Sequence, residues 1–410
     1  MIRWVLLALI LGVVVGTGMG PRAAAFGDWG VLLIQALKLL AAPLLFFAIL
    51  DALLTVTIPV RMGLRLLGLA AVNAVVAFLI AVAVSNVFTR GMGSGLSLPL
   101  GHNPTQGTPA WKDALDPTKL LPQSLFEPFL KGQILSLIAI ALITGWAWQR
   151  IKRRAPAEGE LARGLEAIHL LVKTALLLIT EVLSVITRAL PFAVFAVVAK
   201  SVGMGGVGVF KTLGIFVAMV ITGMLLHGGA WYALLLKVHA GKSPREFFRA
   251  ASEPILFALG AASSLATLPI TLQTLERKLK VSPRSARLAA CVGTNLNHDG
   301  ILLYEAAAAL FVAALYGVHL SFEQQGILAA TAVLAAVGIS GIPDAGLITL
   351  SLVLGAVGLP LEAVAFLLPV DWLLGRFRAA VNVTSDMVVA TCLDAGELNP
   401  HARHQSKKER

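Results

Sequence analysis

Residues 290–310 read ACVGTNLNHDGILLYEAAAAL, in which an apolar stretch of helix length is interrupted by polar residues and then resumes. The polar residues are Thr294, Asn295, Asn297, His298, Asp299 and Gly300, and the second apolar run carries Glu305. Side chains of this kind are costly at bilayer depth unless they are paired or line a wet cavity. The stretch therefore predicts a broken transmembrane helix whose carbonyls and side chains coordinate a cation. A buried structural network between helices is the alternative.

The composition indicates a polytopic membrane protein. Of 410 residues, 57% are hydrophobic and 13% are charged, and the mean hydropathy is +0.84. Soluble domains carry roughly 25% charged residues. The net charge of +11 comes from short basic clusters between apolar runs without interleaved aromatic residues, so nucleic acid is not expected as a partner. Cys291 and Cys392 lie inside apolar segments, which predicts neither a disulfide framework nor a metal cluster.

Six apolar segments in the first 240 residues are long enough to cross about 30 Å of hydrocarbon. They cover residues 3–20, 30–56, 64–88, 130–149, 165–200 and 207–237, with an exposed loop predicted over 89–127. The first segment could also be a cleaved signal peptide, because a possible signal-peptidase site follows it at Ala23, Ala24 and Ala25. The many later apolar segments favour a first transmembrane span instead. Basic clusters at 61–65, 150–154, 237–249, 277–287 and 401–410 predict cytoplasmic N- and C-termini.

The segment 252–275 has basic clusters on both sides, so a simple span would contradict the charge pattern. A re-entrant hairpin resolves this conflict, and the small and hydroxylated residues from Gly260 to Pro269 supply its tip. The segment 288–314 then crosses outward. A second hairpin is predicted over 331–359, where residues 340–346 read SGIPDAG between flanks without a basic cluster.

The segment 361–393 repeats the opening pattern, because an apolar run again contains polar residues. These are Arg376, Arg378, Asn382, Thr384, Ser385 and Asp386. A hairpin followed by a polar-broken helix thus occurs twice, from opposite faces of the membrane. Inverted repeats of this kind place a substrate and ion site at the midplane. The predicted fold is all-α, with eight transmembrane helices and two re-entrant helical hairpins.

Four motifs occur in order along the chain: SSLATLP, NLNHDG with LYEA, SGIPDAG with VGLP, and DWLLGRFRAAVNVTSD. In order and spacing the chain resembles the family of glutamate, aspartate and dicarboxylate cation symporters, and KLLAAPLLFFAIL extends the similarity to the second span. The resemblance implies a homotrimer in the cell inner membrane that works by elevator-like displacement. It implies a scaffold formed by residues 1–60 and 89–200, of which the second range includes the exposed loop. It implies a transport domain formed by residues 61–88 and 201–396, followed by a basic tail over 397–410.

The resemblance also implies roles for individual residues. Substrate-binding positions are Ser263, Ser264, Ile342, Asp344, Arg378 and Asn382, and Arg378 receives a substrate carboxylate through its guanidinium fork. Sodium positions are Gly293 through its carbonyl, Asn297, Asn382 and Asp386, with Asn297 and Asp299 in a second site. No cofactor is expected besides co-transported Na⁺ and/or H⁺.

Departures from the family pattern bear on the substrate. Gly375 and Ala379 stand where amino-acid-transporting members have an aspartate that binds the substrate ammonium and a threonine. A succinate-, malate- or fumarate-like dicarboxylate is therefore the expected substrate, with glutamate or aspartate as the alternative. Asp344 replaces a glycine of the second hairpin tip, where it either substitutes for the missing partner or only forms a turn.

Other departures bear on the cations. His298 replaces a methionine, Ile301 replaces a threonine, and aliphatic residues around 72–76 replace hydroxyl ligands of the third span. At least one sodium site is therefore expected to be degraded. Glu305 matches a proton-carrying glutamate, and His298 is either a second proton-binding group or a packing residue. Besides a symporter, we considered an anion channel and an intramembrane hydrolase using Ser263 or the pair Asp299 and Asp386. No nucleophile–base spacing supports a hydrolase.

Overall fold

The computed structural model describes residues 2–55, 60–90, 124–131, 134–156, 158–337 and 345–406. Every regular element in these ranges is helical, which confirms the all-helical prediction for them. The α-helices are α1 (Ile2–Met19), α2 (Gly27–Thr55), α3 (Val60–Thr89), α4 (Glu127–Lys131), α5 (Ile134–Lys152), α6 (Glu160–Thr187), α7 (Leu190–Gly205), α8 (Val209–Leu225), α9 (Tyr232–Leu235), α10 (Pro244–Ala261), α11 (Ser264–Gln273), α12 (Pro283–Arg287), α13 (Asp299–Leu315), α14 (Phe322–Val337), α15 (Ala345–Ala356) and α16 (Glu362–Ser406). Short 3-10 turns (Gly20–Phe26, Gly206–Gly208, Gly293–Asn295) and π turns (Leu226–Trp231, Leu236–Ala240, Thr274–Lys278, Leu288–Val292) connect several of them.

The chain folds into two compact units. The first unit comprises Met1–Val56, Ser85–Ala218 and Glu305–Trp372. The second unit comprises Thr57–Val84, Met219–Tyr304 and Leu373–Arg410. The family resemblance divides the chain differently, into a transport domain and a scaffold. Those domain boundaries remain a prediction.

In the first unit, α1 packs against α7 through small residues. A Cβ atom at Gly12 would lie 2.9 Å from the Phe195 carbonyl oxygen, and one at Gly16 would lie 2.7 Å from the Ala199 carbonyl oxygen. Glycines four residues apart let two membrane helices approach at backbone distance. The two glycines of α1 therefore allow its close contact with α7.

A second contact in this unit joins α2, α5 and α6. Leu50, Leu54, Trp148 and Val172 form a buried apolar cluster there. The Gln149 side-chain amide donates to the Leu53 carbonyl at 2.6 Å. A helix carbonyl that accepts this additional bond fixes the register between α2 and α5.

The prediction of one span over 165–200 is wrong, because the structure has two helices there, α6 and α7. Arg188 and Ala189 separate them, and Pro191 lies in the first turn of α7. Proline has no N–H to donate and fits the first turn of a helix better than its interior. A new helix therefore starts at this proline.

Four helical segments of the described residues are long and apolar enough to cross a membrane: Arg3–Trp29, Met62–Thr89, Glu160–Thr187 and Leu190–Ala240. Ala42–Asp51 and Gly346–Ala356 are shorter apolar helices. The chain is thus an apolar, multi-helical protein as expected. The count of eight spans and the re-entrant placement of the hairpins remain predictions.

The first predicted hairpin is present in the second unit as α10 and α11, which pack against each other. The turn consists of Ala262, in the left-handed region at φ +53°, and Ser263, which caps α11 by accepting from the Ala266 N–H at 3.2 Å. Pro269, expected to break the helix, lies inside α11. The reversal therefore comes from Ala262 and the serine cap.

The predicted break near residue 297 is confirmed. Helical structure runs through π and 3-10 turns to Asn295, residues 296–298 are non-helical, and α13 starts at Asp299. The His298 carbonyl accepts from the N–H groups of Ile301 and Leu302, which begins the new helix. The backbone is thus unwound beside the buried polar residues.

The corresponding break predicted in 361–393 is wrong, because α16 is continuous from Glu362 to Ser406. Arg378, Asn382 and Asp386 are spaced by four residues, so they share one face of a regular helix. Their polarity is accommodated by burial against the partners described below. A polar stripe at helical spacing therefore replaces the break.

Candidate functional site

Three polar side chains on one face of α16 form the centre of the candidate site. Arg378 is 6% exposed, Asn382 3% and Asp386 4%. Because they follow each other at one-turn intervals, α16 presents a cation, an amide and a carboxylate in a row. Charged groups are buried in this way only when other groups compensate them.

The start of α13 meets this row at Gly300. Its N–H donates to Asn382 Oδ1 at 2.9 Å. A Cβ atom at position 300 would lie 2.6 Å from the Arg378 carbonyl oxygen and 3.0 Å from Asn382 Oδ1. Glycine is therefore required for the broken segment to reach the backbone of α16.

The Arg378 guanidinium stacks on an aromatic ring. Its Cζ lies 4.3 Å from the centroid of Tyr304, which is itself fully buried. Beside it, a Cβ atom at Gly375 would lie 3.1 Å from Arg378 Nη2. The ring orients the guanidinium by a cation–π contact, and the absence of a side chain at Gly375 lets Nη2 lie this close to the backbone. This arrangement suits a carboxylate ligand.

Acceptor oxygens lie around Asp386. Thr294 and Asn297 hydrogen-bond to its carboxylate. Two buried acceptors, Asp386 Oδ1 and Asn297 Oδ1, have no hydrogen-bond partner among the described residues. Carboxylate and amide oxygens are ligands of hard cations, so Asn297 and Asp386 could bind Na⁺. The Gly293 carbonyl accepts from the Leu296 N–H at 2.8 Å. The described residues contain no group of three or more His, Cys, Asp or Glu side chains that could hold a metal ion.

Asp299 lies in a different environment. Its Oδ2 contacts the Tyr232 hydroxyl at 2.7 Å, the Ser385 hydroxyl at 2.6 Å and His227 Nε2 at 3.2 Å. The Asn297 amide donates to Ser385 Oγ at 2.6 Å. Asp299 therefore joins the broken segment to α16 and to the helical stretch 226–235.

Asn73 extends this network to α3. Its amide donates to Ser385 Oγ at 3.4 Å, and its Oδ1 accepts from Trp231 Nε1 at 2.9 Å. This fully buried asparagine lies within residues 72–76, where the sequence predicts only the loss of hydroxyl ligands.

His227 and Tyr232 were also missed. A signal was available, since an ionisable residue inside an apolar span is by default a candidate site residue. His227 stands in such a span, between Leu226 and a glycine pair. The sequence does not reveal that its partner lies 72 residues further along the chain.

The tip of the first hairpin belongs to the same unit as the α16 row. Arg376 Nη1 donates to the carbonyls of Leu259 and Gly260 at 2.8 and 2.7 Å, at the C-terminal end of α10. Ser263 Oγ and Ser264 lie at the tip and are partly exposed. The hydrogen bonds described for Ser263 are local ones within the cap of α11.

The remaining predicted site residues lie elsewhere. His298 is buried in the unwound segment of the second unit, and Glu305 is fully buried in the part of α13 that belongs to the first unit. α14 and α15, which flank the second predicted hairpin tip, pack against each other. Ile342 and Asp344 lie outside the described residues.

Comparison with protein families identifies the group to which these features belong. The model of the sodium:dicarboxylate symporter family matches residues 1–395. The chain belongs to this family. Its members are membrane transporters, so membership in the sodium:dicarboxylate symporter family supports neither the hydrolase alternative nor any other enzyme.

Individual relatives match about half of the chain or less. The excitatory amino acid transporter 2 of Homo sapiens is 44% identical over 178 residues, 43% of this chain and 31% of that protein. An excitatory amino acid transporter of Caenorhabditis elegans is 41% identical over 196 residues, 47% of this chain and 39% of that protein. The excitatory amino acid transporter 3 of Mus musculus is 39% identical over 207 residues, 50% of this chain and 40% of that protein. The chain thus covers two fifths or less of each relative.

Proposed function

We propose that the chain is a cation-coupled symporter that carries acidic amino acids across the membrane. The observation that carries this proposal is the buried guanidinium of Arg378, which stacks on Tyr304 and lies close to the backbone at Gly375. A guanidinium offers two parallel donors to a carboxylate and stays charged. The amino-acid substrate follows from the names of the relatives, and they favour it over the succinate-like substrate expected from the sequence.

In this proposal Arg378 and Asn382 bind one end of the substrate. Ser263, Ser264 and the backbone of the first hairpin tip bind another carboxylate, and the second tip, with Ile342 and Asp344, covers it. Gly293, Asn297, Asn382 and Asp386 hold Na⁺, while Glu305 and His298 carry protons. The transporter works as a multi-pass homotrimer of the cell inner membrane with an elevator-like displacement. Support comes from the family and from the location of Asn297, Asn382 and Asp386 around the break and on α16.

A non-amino dicarboxylate is the second candidate substrate, and Gly375 is the observation that favours it. An ammonium buried next to Arg378 requires a counter-charge, because an unpaired buried charge is strongly unfavourable. Position 375 supplies none. Asp344 is the remaining candidate partner for an ammonium.

Counterflow in proteoliposomes tests the function. Labelled aspartate, glutamate, succinate, malate and fumarate are compared with and without sodium and a pH gradient. We expect saturable uptake of a dicarboxylic acid that accelerates with the cation gradient. Passive flux that does not respond to any ion gradient would indicate an anion channel and would refute the symporter.

Two variants separate the substrate classes. If wild type prefers aspartate, Asp344→Gly should abolish that preference, because the ammonium loses its partner. If wild type prefers succinate, the double change Gly375→Asp and Ala379→Thr should shift the preference towards aspartate by supplying a carboxylate. A succinate preference in wild type would replace our proposed substrate by the second candidate.

A further inference from the structure

Asp299 Oδ2 has more hydrogen-bond partners than a carboxylate oxygen normally accepts. Tyr232 Oη lies at 2.7 Å, Ser385 Oγ at 2.6 Å and His227 Nε2 at 3.2 Å. A carboxylate has about four acceptor positions on its two oxygens, or two on each. The three contacts therefore leave Oδ2 no lone pair for a cation.

The Tyr232 and Ser385 hydroxyls donate to Asp299 Oδ2. The direction of the His227 contact depends on the imidazole tautomer, and the tautomer with its hydrogen on Nε2 donates to the carboxylate. Ser385 Oγ accepts from the amides of Asn297 and Asn73, which directs its own hydrogen towards Asp299. Trp231 holds the Asn73 amide in the required orientation through its Oδ1. The network thus supplies hydrogen atoms, not lone pairs, on the side facing Oδ2.

The three donors are completely buried. His227, Tyr232 and Ser385 are each 0% exposed. A sodium ion at Oδ2 would have to displace one of them, and a buried donor without an acceptor is unfavourable. The ion would also approach hydrogen atoms that carry partial positive charge.

Asp386 presents the opposite case in the same unit. Its Oδ1 and the neighbouring Asn297 Oδ1 are buried acceptors without a hydrogen-bond partner among the described residues. Two buried carboxylates of similar exposure, 2% for Asp299 and 4% for Asp386, thus differ in the acceptors that they have free. Asp299 Oδ2 is contacted by three protein groups, whereas Asp386 Oδ1 keeps its lone pairs for a ligand.

We propose that His227, Tyr232 and Ser385 occupy Asp299 Oδ2 in place of a cation, so that Asp299 joins helices and, of these two carboxylates, Asp386 binds transported sodium. The inference rests on the proposed function, because it concerns the number of cations in the transport cycle. It assigns the buried-network alternative to Asp299 and the cation-binding alternative to Asp386. Tyr232 and His227 thereby become residues that determine how many cations bind.

Sodium titrations of the purified full-length chain test this assignment. The sodium-dependent rise of the unfolding temperature gives the half-saturating concentration without any transport assay. Tyr232→Phe removes one donor and keeps the ring, and Tyr316→Phe, outside the site, is the matched control. Asp386→Asn and Asp299→Asn complete the set. Size-exclusion profiles establish that each variant is folded.

We expect half-saturating sodium to rise about tenfold or more in Asp386→Asn and to stay within about threefold of wild type in Tyr232→Phe and Asp299→Asn. Tyr232→Phe should lower the unfolding temperature, whereas Tyr316→Phe should not. A tenfold rise in folded Tyr232→Phe or Asp299→Asn would mean that the ion contacts this network, and it would overturn the proposal. If Asp299→Asn fails to fold, Tyr232→Phe decides alone. A wild type that transports dicarboxylic acids but shows no sodium effect would overturn the assignment of sodium to Asp386 while leaving the proposed transport function intact.

Discussion

At the scale of single residues, Gly300 fixes how closely the broken segment approaches α16. A Cβ atom there would lie 2.6 Å from a backbone oxygen of α16, and backbone cannot move aside as a side chain can. We expect Gly300→Ala to destabilise the folded chain by about 1–3 kcal/mol through overpacking. Thermal unfolding in detergent measures this. Gly214→Ala is the matched control, because nothing lies within 4 Å of a Cβ atom there. Equal unfolding temperatures for the two variants would contradict the close approach.

Arg378 supports a second prediction at this scale. Replacing it by alanine should reduce uptake of any dicarboxylic acid to background, because one substrate carboxylate would then be buried without a partner at a cost of several kcal/mol. Arg378→Lys keeps the charge but loses the planar fork, so uptake should be partly retained with a raised KM. Initial uptake rates in proteoliposomes test both variants. Uptake by Arg378→Ala within a few-fold of wild type would remove this residue from the site.

Much of the candidate site could be predicted from single residues, because polar groups in apolar segments are rare. Asn297, Asp299, Arg378 and Asn382 were found in this way, and the structure brings them into one unit. The hydrogen bonds of Tyr232 could not be predicted. Its partner Asp299 is 67 residues away in sequence, and a lone tyrosine in an apolar helix is ordinarily a packing residue.

At the scale of elements, the two polar-interrupted segments had similar composition but fold differently. In 361–393 the polar residues recur every four residues and share a face of the continuous α16. Between residues 294 and 300 they are nearly consecutive, and no single helix face can hold them all. The spacing of polar residues, not their number, thus distinguishes a broken helix from an intact one.

Arg376 carries a prediction about the first hairpin. Its guanidinium binds the carbonyls of Leu259 and Gly260, which belong to the last turn of α10 and cannot find partners within that helix. A cation at a helix C-terminus also complements the helix dipole. Arg376→Ala should therefore lower the stability of the hairpin by about 1–3 kcal/mol.

Limited proteolysis at Ala262 and Ser263, read by mass spectrometry, measures the opening of this turn. Arg245→Ala, which changes an exposed arginine of α10, is the control. Faster cleavage in Arg376→Ala than in Arg245→Ala is expected. Identical cleavage rates would show that the contact does not hold the tip.

At the scale of the whole molecule, the family membership and the all-helical architecture were predictable, whereas the two compact units were not. Composition and the order of four motifs were sufficient for the former. Four boundaries between the units fall inside helices, in α3, α8, α13 and α16, so no loop marks them. One such boundary lies between Tyr304, in the second unit, and Glu305, in the first unit.

Glu305 allows a test of proton coupling in the complete transport cycle. It is 0% exposed, and a carboxyl group at this depth that gains and loses a proton during the cycle makes uptake depend on pH. Glutamine has the same shape but cannot titrate, so Glu305→Gln should keep a folded protein whose uptake is insensitive to pH. Uptake rates over a series of pH values at constant sodium measure this, with the exposed Glu323→Gln as control. Wild-type uptake that is strictly sodium-driven and flat from acidic to alkaline pH would exclude a coupled proton at Glu305.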